Sequence, residues 1–189
     1  MLDDNEIYVV VDIETDGPVP GLYSMLSMAA VATTPDKEVG TFYRKLTPLE
    51  GAKQDPRVME WWKTQPEAWQ EVTKEAQDPE LVISDFCNWL SSLKATPVFV
   101  AHPVGFDYAF VSWYLRKFAD KDPFTTHTGA SKTLDLSSYI SGKLNLPLSK
   151  SKRKTMPESL KLGMLEHSHN ALEDAQGYAV VLRNVLRQN

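Results

Sequence analysis

An α/β fold, with one mixed sheet of about five strands flanked by helices, is predicted by three observations. Residues 7–13 form an apolar run rich in β-branched side chains and lacking alternation, the pattern of a strand buried on both faces. Residues 97–101 form a second such run and pass directly into a helical pattern. The C-terminal stretch from Asn170 keeps Leu172, Ala175, Tyr178, Ala179, Leu182, Val185 and Leu186 on one helical face.

The remaining elements follow in order. Turn chemistry at Gly17-Pro18-Val19-Pro20-Gly21 separates the first strand from two more, at 22–33 and 39–46, joined by a turn at Pro35-Asp36-Lys37. Residues 54–75 are Trp-rich and interrupted by Pro56 and Pro66, which predicts short helices rather than one long one. Asp78 can cap and Pro79 suits the first position of a helix whose apolar face holds Val82, Phe86, Trp89, Leu90 and Leu93. After the strand at 97–101, a helix carries Phe106, Phe110, Trp113 and Phe118 on its apolar face, and residues 133–136 read as a short strand leading into a helix to about Lys143. Asn170 with Glu173 three residues on starts the last helix like a capping box. No repeat or linker divides the chain, so one domain over 1–189 is expected.

Composition narrows the function. The 189 residues carry 20 Lys and Arg against 25 Asp and Glu, a formal net charge of −5. That argues against a basic nucleic-acid coat protein but not against a metal-dependent nuclease, whose carboxylate cluster drives the count negative. The single cysteine, Cys87, excludes a disulfide framework and a Cys-rich zinc site, and as a small apolar packing residue it needs no further role. The longest apolar runs fall far short of a membrane span. The N-terminus is acidic where a secretory signal would be basic, so a cytoplasmic protein is expected, with no membrane partner.

Asp12 and Glu14 stand two apart at the end of the first strand, so both project to one face and can share one ion. Burying both beside Val11 and Ile13 would cost several kcal/mol unless something positive sat there. Asp-x-Glu alone is accounted for equally by two solvated strand-end acids. Asp107 follows the strand at 97–101 in the first turn of a helix, and open α/β sheets gather ligands at the carboxyl ends of their strands. A helix-dipole acid is the alternative there. His169 lies just outside the last helix and Asp174 one turn inside it. A carboxylate on a rigid helix can hold a metal, and a histidine on freer backbone can take a proton from water near neutral pH. His102 and Asp107 share that spacing, so order and context decide between the pairs.

Taken together, Asp12-Ile13-Glu14-Thr15, then Asp107 in a His-x-x-x-Phe-Asp context, then His169-x4-Asp174 resemble the DEDDh 3′–5′ exonucleases of the ribonuclease H-like superfamily. This group includes ribonuclease T, oligoribonuclease and replicase proofreading subunits, and the resemblance spans nearly the whole chain. The stretch from Glu158 to Gly163 also resembles the helix leading into the family's third motif. The resemblance implies a ribonuclease H-like fold and two Mg²⁺ or Mn²⁺ ions held by Asp12, Glu14, Asp107 and Asp174. It makes His169 the general base and Thr15 and Phe106 contacts of the 3′-terminal nucleotide. Ca²⁺, with looser coordination, is expected to bind such a site without supporting turnover. Two departures stand out. Asp16 to Leu22 intervenes where the first motif often continues Thr-Gly-Leu, which obscures the apolar wedge, and Pro103 takes the place of an Asn that usually orients substrate. His102 is expected to pack or position, and His127 and His167 to lie on the surface.

Residues 143–161 hold six basic side chains against the single acid Glu158, a local charge of +5. Lys152, Arg153 and Lys154 are therefore candidates to bind phosphates of the substrate strand, with a solvated loop as the alternative. Trp61 and Trp62 are expected to pack more than to stack on bases. The implied activity is release of nucleoside 5′-monophosphates from the 3′ end of single-stranded nucleic acid, RNA or DNA. A non-catalytic binding module on the same fold and an accessory proofreading subunit are the alternatives. Several relatives in this group are homodimers, an arrangement that no residue of this chain specifies.

Overall fold

The computed structural model describes residues 5–164 and 169–188. Five strands, β1 (Glu6–Thr15), β2 (Met25–Thr33), β3 (Glu38–Lys45), β4 (Thr96–Ala101) and β5 (Thr133–Asp135), form one sheet in the order β3-β2-β1-β4-β5. Strands β1, β2 and β3 make an antiparallel meander, while β4 joins β1 and β5 joins β4 in parallel. The expected mixed sheet is therefore present.

Helices cover both faces. Between β3 and β4 come α1 (Pro56–Trp62), α2 (Pro66–Thr73) and α3 (Pro79–Ser92); α4 (Val104–Ala119) lies between β4 and β5. Then follow α5 (Leu136–Lys143), a 3-10 turn at Leu148–Lys150, α6 (Glu158–Lys161) and α7 (Ala171–Leu186). The alternation of β1 decides which layer each side chain meets. Ile7, Val9, Val11 and Ile13 pack with α3 and α4, whereas Tyr8 and Val10 pack with α5 and α7. A strand covered on both sides must be apolar throughout, hence the continuous β-branched run.

Local chemistry starts the helices where the sequence places them. Proline opens α1, α2 and α3, where its missing N–H has no helical partner to lose, and the Asp55 and Asp78 carboxylates accept from the first-turn amides of α1 and α3. Asn170 caps α7 by accepting from Leu172 and Glu173. Three expectations are corrected. The β5 strand ends at Asp135, because its side chain turns to cap α5. The buried face of α4 is Asp107, Phe110, Val111, Tyr114 and Leu115; of the expected stripe Phe110 lies on it, Trp113 and Phe118 pack half-buried against the core, and Phe106 is exposed. Trp62 is fully buried beside Leu26 and Val72, but its neighbour Trp61 is not. Cys87 is buried in the α3 core, as expected. Among the described residues no helix is long and apolar enough to cross a membrane.

Candidate active site

The site lies where β1 outruns β4. The β1–β4 pairing ends at Val10 opposite Val100, while β1 continues to Thr15 against β2. Past that point the even-numbered residues keep facing the α7 layer, so Asp12 and Glu14 follow Tyr8 and Val10 toward the last helix. There Asp174, fully buried, projects from α7 between the packed residues Ala171 and Ala175. Oxygen atoms of Asp12, Glu14 and Asp174 lie within 4.8 Å of one another.

Asp107 arrives from the opposite layer. Its helix begins immediately after β4, and the helix start is held by Asp135 Oδ2, which accepts from the Val104 amide at 2.8 Å. Asp135 Oδ1 accepts from Ser138 at 2.7 Å, so one carboxylate ties the starts of α4 and α5 together. The Asp107 side chain is buried, and the Ile13 amide points at its carboxylate around the end of the sheet. Asp107 adds its charge beside the triad of Asp12, Glu14 and Asp174.

The electrostatics follow from this crowding. Burial, then the charges of Asp107, Glu14 and Asp174, raise Asp12 well above the usual carboxylate range, against the opposing pull of Arg153. Burial and the charges of Asp174 and Asp107 push Glu14 up to about 8. Burial takes Asp107 to about 7 although its own amide and that of Ile13 act the other way. Asp12 and Glu14 are half-buried, so protein encloses them on most sides while a path to solvent stays open. Carboxylates forced together in this way are stable as anions only around a cation. An all-oxygen donor set of this kind suits a hard divalent ion, Mg²⁺ or Mn²⁺.

Aromatic and basic groups line the rim. His169 has a left-handed backbone, φ 55°, and its ring meets Trp61 edge-on. The Trp62 indole N–H donates to the Thr15 carbonyl at 3.0 Å, which pins α1 to the end of β1. His102 stacks on Tyr178, with ring centroids 4.7 Å apart, and its Nε2 lies 2.7 Å from the Ser151 carbonyl. Arg153 turns inward, 3.3 Å from the Asp174 carboxylate and over the Tyr178 ring.

These residues occupy the first strand, the helix after β4 and the last helix, all within the stretch that a known family matches. The Rv2179c-like family of 3′–5′ exoribonuclease domains matches residues 7–186. The chain belongs to this family. It has the ribonuclease H-like fold of the DEDDh exonucleases. The 3′–5′ DNA exonuclease Cap18 of Escherichia coli is 33% identical over 130 residues, 66% of this chain and 65% of Cap18. The chain thus spans just under two thirds of that curated relative. Among solved structures, the nuclease domain of 3′hExo, a DEDDh family member bound to rAMP, superposes with a TM-score of 0.72 at 14% identity, covering 97% of this chain and 93% of that one. Exonuclease I of E. coli in complex with a dA16 oligonucleotide gives a TM-score of 0.67 at 17% identity, covering 96% of this chain and 41% of that one.

In this Rv2179c-like domain the residues singled out in the sequence fall into two groups. Asp12, Glu14, Asp107 and Asp174 converge at one end of the sheet, and His169 stands just before the last helix with its ring against Trp61. Thr15 is buried with its carbonyl bound to Trp62, and Phe106 is 39% exposed, resting on Phe110. Of the three basic candidates, Lys152 and Lys154 face solvent, but Arg153 does not lie along an outer strip with them; it enters the carboxylate site. The expectation that the two tryptophans pack holds for Trp62 and fails for Trp61, 37% exposed at the mouth. His102 packs as expected and His127 is exposed, while His167 lies outside the described residues. Tyr178 and the capping Asp135 are neighbours of the site that the sequence does not mark as such, whereas Trp61 stands out there only as a ring that packs or stacks. Only Asp135, a strand-end acid before a helix, carried a local signal.

Proposed function

We propose that this chain hydrolyses the 3′-terminal phosphodiester of single-stranded RNA or DNA and releases nucleoside 5′-monophosphates one at a time. The observation that carries this reading is the meeting of Asp12, Glu14 and Asp174 within 4.8 Å at the open end of β1, with Asp107 beside them and His169 at the mouth. A module that only bound nucleic acid would have no use for carboxylates held at such electrostatic cost. The relatives' ligands, rAMP in one case and a dA16 oligonucleotide in the other, support a single-strand substrate and a mononucleotide product.

In this reading Asp12, Glu14, Asp107 and Asp174 hold two Mg²⁺ or Mn²⁺ ions, which when bound supply the positive charge that offsets the charge developing on the scissile phosphate. His169 accepts the proton of the attacking water, which its place at the solvent edge allows. Thr15 presents backbone beside the terminal nucleotide, and the exposed Phe106 ring offers a surface for a sugar or base. Lys152 and Lys154, exposed on the loop behind the site, bind phosphates further up the strand.

The test is digestion of matched 5′-labelled RNA and DNA oligonucleotides in Mg²⁺ or Mn²⁺, with Asp12→Ala and His169→Ala as controls. A descending ladder from the parent, lost in both variants, is expected. Absence of a ladder, or a ladder that survives both substitutions, overturns the proposal.

A further inference from the structure

The carboxylate cluster already holds a cation. Arg153 Nη1 lies 3.3 Å from Asp174 Oδ1, and its side chain is 18% exposed, whereas Lys152 and Lys154 on either side face solvent. Its guanidinium sits over the Tyr178 ring at 5.3 Å, and Tyr178 in turn stacks on His102. The loop beneath is pinned. The Ser151 carbonyl meets His102 Nε2, the Ser151 hydroxyl donates to Leu148 at 2.7 Å, the Thr155 hydroxyl donates to Ser149 at 2.6 Å, and Met156 is buried. This geometry aims one particular side chain of the loop into the site. Among the described residues, Arg153 is the cation whose charge eases the ionisation of Asp12.

We infer that Arg153 is a tethered counter-ion of the metal site, paired with Asp174 while divalent ions are absent and displaced from it when they bind. The inference rests on the reading of Asp12, Glu14 and Asp174 as a metal centre. A guanidinium and a divalent ion beside the same buried carboxylate repel each other, and with little water between them the repulsion is weakly screened. Arginine suits the exchange, because it stays charged at every accessible pH and rests on an aromatic face. Metal-free protein therefore gains stability from Arg153 at the expense of metal affinity, and ion loading is linked to the position of the Arg153 side chain.

Calcium is the probe, because it is expected to bind without turnover. Calorimetric titration of the full chain with Ca²⁺ should show about tenfold tighter binding in Arg153→Met than in the parent, by removal of a like charge. Arg153→Lys, which keeps the charge, should bind close to the parent. Unfolding temperatures give an independent readout. Arg153→Met should be less stable than the parent in EDTA and equal or better in saturating Ca²⁺, whereas a merely structural arginine would leave the same deficit in both. In the parent itself, the Arg153 Nε–H resonance, assigned by its absence from Arg153→Lys, should shift on Ca²⁺ addition. Unchanged or weaker Ca²⁺ binding in Arg153→Met, an equal stability deficit in both conditions, or an unmoved Nε–H resonance overturns the inference. Asp12→Asn separates the two readings. If it abolishes Ca²⁺ binding while Arg153→Met behaves as the parent, only the exchange fails. If the parent binds no Ca²⁺, or Asp12→Asn binds as the parent does, the metal-centre reading fails and the exchange with it.

Discussion

Trp61 meets the His169 imidazole edge-on, with ring centroids 4.8 Å apart and planes at 80°. This contact links α1, an element without a metal-site carboxylate, to the proposed general base. The next residue, Trp62, anchors the same helix to the Thr15 carbonyl at the end of β1. The pair of tryptophans thus ties the His169 ring to the strand that bears Asp12 and Glu14. An aromatic pair of this geometry is worth about 0.5–1.5 kcal/mol beyond its buried area. Trp61→Ala should therefore lower kcat by roughly 2- to 10-fold, and Trp61→Phe should restore most of the loss. A kcat for Trp61→Ala equal to that of the parent, measured on a 5′-labelled oligonucleotide, would contradict this role.

His169 and the carboxylates should fail in different ways. His169→Ala removes a proton acceptor and should cost about 10²- to 10⁴-fold in kcat while leaving Ca²⁺ binding intact. Asp12→Asn or Asp174→Asn should remove activity and ion binding together. Parallel single-turnover assays and calorimetry distinguish the two patterns, and loss of ion binding in His169→Ala would reassign that residue.

Divalent ions should divide by coordination. Mg²⁺ and Mn²⁺ should support hydrolysis, and Ca²⁺ should bind, compete with Mg²⁺ and inhibit. Rapid hydrolysis in Ca²⁺ alone, after chelation of trace Mg²⁺, would count against a two-ion site suited to Mg²⁺ or Mn²⁺.

The metal-free protein should lose stability as pH rises. Folding lifts Glu14 from 4.5 to about 8 and Asp107 from 3.8 to about 7, and it also lifts Asp12. Across that interval the folded state keeps protons that the unfolded chain has released, so each rise in pH favours unfolding. The unfolding temperature in EDTA should fall from about pH 4 to about pH 8 and flatten beyond. Divalent ions bind the ionised carboxylates, so the stabilisation they bring should grow over the same interval. Differential scanning calorimetry with and without Mg²⁺ measures both slopes, and a metal-free unfolding temperature that rises through this window would contradict the assignment.

Asp135 should matter for position more than for charge. It accepts from Val104 at 2.8 Å and Ser138 at 2.7 Å, thereby capping α5 and fixing the first turn of α4, which carries Asp107. Burial alone would raise its pKa, but hydrogen bonds from Ser138 and Val104 and the nearby His102 hold it below the usual carboxylate value. Its contribution is therefore present above the unfolded pKa and fades as pH falls through the folded one. Asp135→Ala should cost about 1–2 kcal/mol in chemical denaturation, by loss of a cap, and should weaken ion binding through the loosened Asp107. Asp135→Asn should recover much of the stability.

Much of this site was legible before the fold. The two-residue spacing of Asp12 and Glu14 dictates a shared face in any strand, and Asn170 at the start of an amphipathic pattern dictates where Asp174 falls on its helix. These are short-range consequences of backbone geometry. Other features could not be read that way. Phe106 is as apolar as Phe110, yet one is exposed and the other fully buried, because the side of α4 that meets the sheet depends on how the helix docks. Trp61 and Trp62 separate between mouth and core for the same reason.

The sequence by itself determined the β1 strand, the order of the acidic motifs and the caps that start α3 and α7, because each depends on residues a few positions apart. Only the tertiary structure decided that Asp107 rounds the end of the sheet to join the other acids and that Trp61 faces His169. It also decided that Arg153, within an apparently uniform basic strip, points inward while Lys152 and Lys154 do not. Those contacts join distant segments, and their energies arise from burial and from charge at close quarters, which exist only once the layers have packed.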